Sequence, residues 1–328
     1  MANNKSGVRL SVVIVTWNAK QLALNCLDSL GHYRTDPSVE IIVVDNNSSD
    51  GTPGAIREGY PFVRLVQNDT NLGFAKANNI GILASSGDYV CLINSDVVVP
   101  RDCLEKMASY MDGNPTIGML GPRMIGPDGA VGRSCMGFPT LWRAFCRTLG
   151  LDTLFPKSQL FGQLLMTHFA HDRTADVEVL NGWFWMTRRS AIQELGLLDE
   201  QFFMYGEDID WCKRFHTAGW RVVYFADAQA IHYGGGSSAD APVRLYVQMH
   251  RARLQYWRKH HSTVAQAAFV FTAALHLAFR IVGYAALYLV RRSDRSRVRF
   301  KIQRSVASML WLLRREAHPA GKASSLSL

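Results

Sequence analysis

Short apolar runs that end in polar residues constrain this chain more than any other feature. Residues 10–16 read LSVVIVT, residues 41–45 read IIVVD, and residues 88–94 read DYVCLIN. Such runs are β-branched and show no polar alternation. They suit strands covered on both faces, as in a parallel sheet. Helical patterns lie between them. Leu22, Cys26, Leu27 and Leu30 mark an amphipathic stretch over 20–30. FAKANNIGILAS (74–85) reads as a helix ended by Gly87, and CLEKMASYMD (103–112) as another. VRLVQN (63–68) adds a strand. The alternation predicts an α/β fold, with a mostly parallel sheet flanked by helices. Ligands in such sheets bind beyond the carboxyl ends of the strands. Thr16, Asp45 and Asp96 all fall at those ends, so one crevice can collect them.

From Gly126 to Asp176 the pattern loosens into Gly, Pro and aromatics without a clean period. An acceptor-side insertion or lid and an irregular surface excursion fit it equally. Order returns with a strand over Val177–Thr187. Ser190 and Gln193 fit a capping box, and Gly196 closes that short helix. Residues 208–218 form a helix stopped by Gly219. RVVYF (221–225) is a last strand, leading to Ile231, His232, Tyr233 and the glycine-rich stretch Gly234–Ser237.

The length of 328 residues suits one large catalytic domain with an appendage, or two domains. The net charge of +9 is uneven. Residues 244–328 hold 16 Lys/Arg against two acids (Asp294 and Glu316), whereas residues 1–243 hold 20 against 25. A basic C-terminal quarter points to an anionic partner. It also contains a long apolar stretch, Ser262–Val290, interrupted by Gln266, His276 and Arg280. The stretch is long enough to span a bilayer, but Arg280 near its middle is costly in hydrocarbon. We expect helices that lie in the membrane interface, apolar side down, with basic residues on lipid phosphates. A spanning segment and an oligomerisation surface are the alternatives. Nucleic acid is disfavoured, because apolar stretches this long do not track phosphates. The six cysteines form no CxxC pair and read as reduced core thiols in the cytosol. No signal peptide is apparent.

Two acidic motifs carry the chemistry. Asn94-Ser95-Asp96 follows an apolar strand, where a carboxylate can present a divalent metal to a diphosphate. Glu207-Asp208-Ile209-Asp210 opens a helix, where acids are favourably placed in any case. Asp210 precedes Lys213 and Arg214 by three and four residues, which predicts a surface ion pair. Asp208 precedes Trp211 and Cys212 by the same spacings, so it should point inward.

Together with SVVIVTWNAKQLALNCLDSL, IIVVDNNSSDGT, NLGFAKANNIGI and DYVCLINSDVVVP, these motifs resemble the inverting family-2 glycosyltransferases of the GT-A fold. The second half, from LNGWFWMTRRSAIQELG through FMYGEDIDWCKRFHTAGW to AIHYGGGSS, resembles the branch with rhamnosyl- and galactofuranosyltransferases. The resemblance covers roughly residues 8–240 and implies a nucleotide-binding half (8–125), an acceptor half (126–240) and a membrane-associating region (241–328). By resemblance, Asp45 contacts the base with help from Thr16 and Asn18, and Asn71, Gly73, Lys76, Asn79 and Gly81 serve the donor. Asn94-Ser95-Asp96 stands where the family carries Asp-x-Asp, with Asn94 replacing the first acid. Asn94 can still bond a ribose hydroxyl. Asp96 would hold Mg²⁺ or Mn²⁺, with His232 as a further ligand. Asp208 matches the family's general base, with Glu207 supporting it or binding acceptor hydroxyls. Trp183 and Trp185, beside Gly182, are candidates for shaping the acceptor site or for packing. Arg188 and Arg189 can meet a lipid diphosphate or simply be exposed.

The expected activity is transfer of L-rhamnose from dTDP-L-rhamnose to a polyprenyl-diphosphate-linked sugar at the cytoplasmic face of the inner membrane. A UDP-sugar-dependent hexosyl- or galactofuranosyltransferase is the alternative, and the oligomeric state stays open. A sugar nucleotidyltransferase is disfavoured, because Thr16-Trp17-Asn18-Ala19 is not a glycine-rich triphosphate loop. A non-catalytic scaffold is disfavoured by the intact Asp96, Asp208 and His232.

Overall fold

Apolar runs buried on both faces need helices on both sides, and the chain supplies them. A computed structural model describes residues 7–234, 242–290 and 295–317. The first half builds β1 (Leu10–Thr16), α1 (Lys20–Ser29), β2 (Val39–Asp45), α2 (Thr52–Gly59), β3 (Arg64–Gln67), α3 (Phe74–Ala84), β4 (Tyr89–Asn94), β5 (Val97–Val98), α4 (Cys103–Asp112) and β6 (Ile117–Ile125). Next come β7 (Cys135–Met136), α5 (Leu141–Thr148), α6 (Leu151–Leu154), β8 (Ala175–Asp176), β9 (Val179–Leu180), β10 (Phe184–Arg188), α7 (Arg189–Leu195), α8 (Glu207–Thr217) and β11 (Arg221–His232). Three longer helices follow: α9 (Pro242–His260), α10 (Thr263–Val290) and α11 (Arg295–Ala317). Gly235, Gly236 and Ser237 lie outside the described residues, as do residues 1–6 and part of the basic run at 291–294.

The main sheet runs β3-β2-β1-β4-β10-β6-β11-β5, with β8 added beside β11. Side chains alternate between two cores. Val12, Ile14, Val43 and Cys91 pack with Leu27 of α1 and Leu104 of α4. Val13, Val44, Val90 and Leu92 pack on the other side with Ile82 of α3 and with Trp211 and Phe215 of α8. The sheet is mostly parallel but mixed, since β10 runs antiparallel to β4 and β6. The expected N-terminal strands and helices all form within a residue or two of their sequence bounds.

Several expectations need correction. The strand expected over Val177–Thr187 is broken. Val179–Leu180 pairs with Cys135–Met136 in a separate small sheet, and Asn181-Gly182-Trp183 turns the chain into β10. The capping box fails, because the helix starts at Arg189 and its N-cap, Arg188, makes no side-chain cap. Gly196 does end it, at φ 85°. The last strand is longer than RVVYF and continues past a register shift between Phe225 and Gln229 to His232. Strand β6 went unread because Gly118, Gly121 and Pro122 look like breakers, and the excursion after it contains α5, capped by Thr140. Arg143 anchors α5 to Glu178, with Nη2 donating to Oε1 at 3.0 Å. All six cysteines are buried and free.

Helix α10 is long and apolar enough to cross a membrane by length and composition. It packs on α5, α9 and α11. Asp210 ties α9 to α8, and here the surface pair expected from the sequence is corrected. Asp210 does pair with Arg214 at 3.0 Å, but its side chain is wholly buried. It also lies 2.7 Å from both Lys259 Nζ and His260 Nε2, at the last turn of α9. The spacing along α8 revealed one partner; the others come from a helix distant in sequence. Removing one member of a buried ionic cluster leaves the rest uncompensated. Asp210→Ala is therefore expected to cost about 3 kcal/mol or more of stability in urea unfolding, with Asp210→Asn costing less.

Candidate active site

The site lies where the sheet's carboxyl ends meet the start of α8. A cavity of about 440 Å³ is lined there by Thr16, Asn94, Asp96, Glu207, Asp208 and His232, among others. Asn71, Gly73, Ser95 and Trp183 line it as well. Parallel pairing puts Thr16 opposite Asp45 and Val15 opposite Asn94, so three strands end together. The antiparallel match of His232 with Val97 and Ile231 with Val98 brings the end of β11 to the residue after Asp96. His232 Nε2 therefore approaches Asp96 Oδ1 to 3.2 Å, though without the alignment of a hydrogen bond. Trp183 holds the imidazole from one side, with ring centroids 5.4 Å apart and planes inclined at 24°.

Polar atoms here are buried and unmatched. Thr16 Oγ1, Asp45 Oδ1, Asp96 Oδ1, Asn181 Oδ1 and Glu207 Oε2 have no hydrogen-bond partner. Groups buried in that state are costly unless a polar ligand completes them. Four of these oxygens line the cleft, Asp45 Oδ1 being the exception, and two of the four belong to carboxylates. This donor set fits a hard divalent cation with phosphate or hydroxyl oxygens. Among the described residues no cluster of three or more His, Cys, Asp or Glu can enclose a metal by itself. Asp96 and His232 would thus supply two protein ligands, and the remaining positions fall to substrate and water.

Glu207 and Asp208 sit at the N-terminus of α8, entered through Gly206 at φ 84°. Tyr205 before it also has positive φ, at 67°, a conformation that L residues adopt at a cost. This turn aims Asp208 into the cleft and buries Glu207. Burial raises the Asp208 carboxyl, while the backbone amides of Ile209, Gly182 and Gly206 offset part of the rise. Burial pushes Glu207 well above the usual carboxylate range, and the neighbouring Asp208 charge adds to it.

Not every sequence candidate reaches the cleft. Asp45 is fully buried beside Thr16 and accepts from Ser48 N at 2.9 Å, but it does not line the cavity. Asn18 also stays outside it and braces the turn after β2, accepting from Ser49 N at 2.8 Å. Asn79 is corrected to a packing residue: its amide donates to Leu198 O at 2.9 Å and accepts from Leu198 N at 3.0 Å. Lys76 is also corrected, since it pairs with Glu200 at 3.5 Å and lies outside the cleft. Gly81 lets α3 press on Val13, whose Cγ1 would lie 2.2 Å from an added Cβ. Gly73 keeps its turn, with φ 81° and Phe203 O pressed against it. Trp185 packs in the core on Trp211, so of these two only Trp183 lines the cleft. Arg188 donates to the carbonyls of Ile117 and Met111, and Arg189 donates to Gly87 O, so neither is free for a lipid.

Sequence reading missed Asn46, Asn181 and Tyr205, which line the cleft. Asn46 links β2 to the Gly73 loop, donating to Gly73 O at 3.1 Å and accepting from Asn68 Nδ2 at 2.8 Å. Its position one residue past a strand-end acid was the available signal.

The fold and the placing of the cleft are those of a GT-A glycosyltransferase. The chain belongs to glycosyl transferase family 2, whose sequence profile matches residues 11–196. It is similar to an N-acetylglucosaminyl-diphospho-decaprenol L-rhamnosyltransferase of Mycobacterium tuberculosis, with 30% identity over 83% of this chain and 91% of that protein. It is also similar to a dTDP-rhamnosyl transferase of Shigella flexneri, at 24% identity over 76% of this chain and 80% of that one. Its fold matches a mannosyltransferase from Pyrobaculum calidifontis solved with GDP-Man and Mn²⁺. That match has a TM-score of 0.55 and 19% identity, covering 93% of this chain and 87% of the other.

The raised Glu207 has a consequence for stability. A carboxyl whose folded pKa lies above its unfolded value makes the folded state bind its proton more tightly, so stability falls as pH rises through that window. Glu207→Gln removes the effect. It is expected to melt on the order of a few degrees higher than wild type at pH 7–8, with the gain vanishing towards pH 4. Equal pH dependence in both proteins would mean that Glu207 carries no such penalty.

Proposed function

We propose that this glycosyltransferase transfers L-rhamnose from dTDP-L-rhamnose to a sugar on a polyprenyl-diphosphate carrier, with inversion. The donor assignment is supported by two relatives named as rhamnosyltransferases, one of them acting on a decaprenol-diphosphate-linked sugar. The mechanism is supported by one observation: Asp208 opens into the same cavity as Asp96 and His232.

Asp208 acts as the base. Its raised pKa improves its match to an acceptor hydroxyl, and its amide contacts fix its direction. It takes the hydroxyl proton as the oxygen attacks the anomeric carbon, and the bond from that carbon to the diphosphate breaks. Glu207, buried beside it and holding its proton, supports the base or donates to an acceptor hydroxyl. Thr16 and Asn94 bind the nucleoside, and Asp45 holds the strand end that they share. Asp96 and His232 would hold Mg²⁺ or Mn²⁺, which when bound neutralises the charge of the departing diphosphate. Trp183 orients His232 and offers its face to the acceptor sugar. The basic, apolar helices of the C-terminal region rest on an anionic membrane at the cytoplasmic face, where a lipid-linked acceptor would be met.

The test is transfer by purified full-length protein with Mg²⁺ or Mn²⁺, a polyprenyl-diphosphate-linked N-acetylglucosamine, and dTDP-rhamnose against a panel of UDP-sugars. Asp208→Asn is expected to lower kcat by about 10²–10⁴-fold while nucleotide affinity holds. The acid limb of the wild-type kcat profile is expected above the ordinary aspartate range, with activity rising as Asp208 ionises. Turnover of a UDP-sugar alone would reject the donor assignment, and a fully active Asp208→Asn would reject the base.

A further inference from the structure

A second cavity, of about 320 Å³, lies between α5, α9, α10 and α11. Each of these helices gives it one arginine: Arg147, Arg253, Arg280 and Arg304. Arg147 pairs with Asp152 at 2.7 Å. Among the described residues no carboxylate forms an ion pair with Arg253, Arg280 or Arg304. Arg280 lies over the Tyr284 ring and Arg304 over the Tyr246 ring, 5.2 and 4.8 Å from their centroids. Those rings hold the guanidinium planes without neutralising them. Arg280 Nε and Arg304 Nε are buried without a hydrogen-bond partner, and so is His250 Nε2 on the same wall. His250 can answer the crowding by losing its proton, as burial and the neighbouring arginines push it down to about 3. A guanidinium has no such escape. Converging guanidiniums with free donors form a site for a multiply charged oxyanion, which they can bind bidentately.

Two further observations narrow the anion. The cavity adjoins the active site: Met136 lines both, and Ile209 lines the second while Asp208 lines the first. The helices that turn arginines inward also carry apolar side chains outward. Helix α10 exposes Phe271, Phe279 and Val282, and α5 exposes Leu141, Trp142 and Phe145. The fitting ligand is thus anionic in the middle, apolar at one end, and able to reach Asp208 at the other.

We infer that the arginine cavity binds the diphosphate of the acceptor. The first sugar passes Met136 into the cleft, and the prenyl chain leaves along α5 and α10. The inference rests on the lipid-linked acceptor proposed above. It assigns Arg253, Arg280 and Arg304 to acceptor binding, with no part in donor binding.

The test is titration of the full chain in neutral detergent with farnesyl diphosphate. Inorganic pyrophosphate and phosphatidylglycerol serve as competitors, and acceptor KM is measured alongside. The double variant Arg253→Gln, Arg280→Gln is expected to bind farnesyl diphosphate about 10–100-fold more weakly and to raise acceptor KM similarly. Its melting temperature and nucleoside-diphosphate affinity should match wild type. If the double variant does not fold, Arg280→Gln alone is read by the same titration, and Arg253→Lys should keep part of the affinity. Unchanged prenyl-diphosphate affinity and acceptor KM in variants that fold would overturn the inference while leaving the lipid-linked acceptor standing. Equal competition by phosphatidylglycerol would make the cavity a phospholipid site, and equal competition by pyrophosphate a simple anion site. Either result also overturns it. Wild-type protein that binds farnesyl diphosphate through these arginines yet transfers only to a lipid-free acceptor would instead sink the proposed acceptor.

Discussion

The antiparallel stitch between the end of β11 and β5 is the constraint on which the site depends. Only two residue pairs make it, Ile231 with Val98 and His232 with Val97. It joins a strand from the second half of the chain to the loop that carries Asp96. Strand β11 reaches that point because it shifts register between Phe225 and Gln229 and continues beside β6. Such bulges re-aim the residues beyond them. Without that shift, the imidazole would not end beside the carboxylate, and the cleft would lose one wall. Trp183 reinforces the stitch by stacking on His232 and through its carbonyl, which accepts from Asn94 N at 3.0 Å.

The opposite wall is set by one turn of helix. Glu207, Asp208 and Asp210 are adjacent in sequence but meet three environments. Asp208 faces the cleft with amides around it, Glu207 is enclosed with an unmatched oxygen, and Asp210 is enclosed with Arg214, Lys259 and His260 as partners. The pair nearest the chemistry is held in a state that favours the proton, while the acid one turn on is neutralised and anchors α9. The contrast arises from partners rather than residue type, as environment decides the role of a carboxyl group.

Much of this was legible in the sequence, and the limits are physical. Buried parallel strands read as continuous apolar runs, so β1, β2 and β4 were visible, and with them the crevice at their ends. Strand β6 was hidden because its glycines accommodate close neighbours, which local pattern cannot distinguish from turns. The inward direction of Asp208 followed from helical spacing, but the burial of Asp210 did not. That depends on Lys259 and His260, and a periodicity along α8 has no knowledge of α9. Asn79 and Lys76 lie within a motif that reads as donor-binding, yet they serve the Leu198–Glu200 loop. A motif marks a region of the fold more reliably than it marks each side chain in it.

The charge of the C-terminal quarter shows the same lesson in three dimensions. Counted along the chain, its Lys and Arg residues suggest a basic surface for lipid phosphates. Folded, three of them leave that surface and converge with Arg147, which comes from the irregular excursion far upstream. The costly arginine in the apolar helix then has a reason: Arg280 sits on the face that α10 turns to its neighbours, while Phe271, Phe279 and Val282 occupy the exposed side. Apolar length and internal charge are therefore compatible in one helix. It lies against the enzyme on one side and presents an apolar strip on the other, an arrangement that suits the lipid-linked acceptor proposed above.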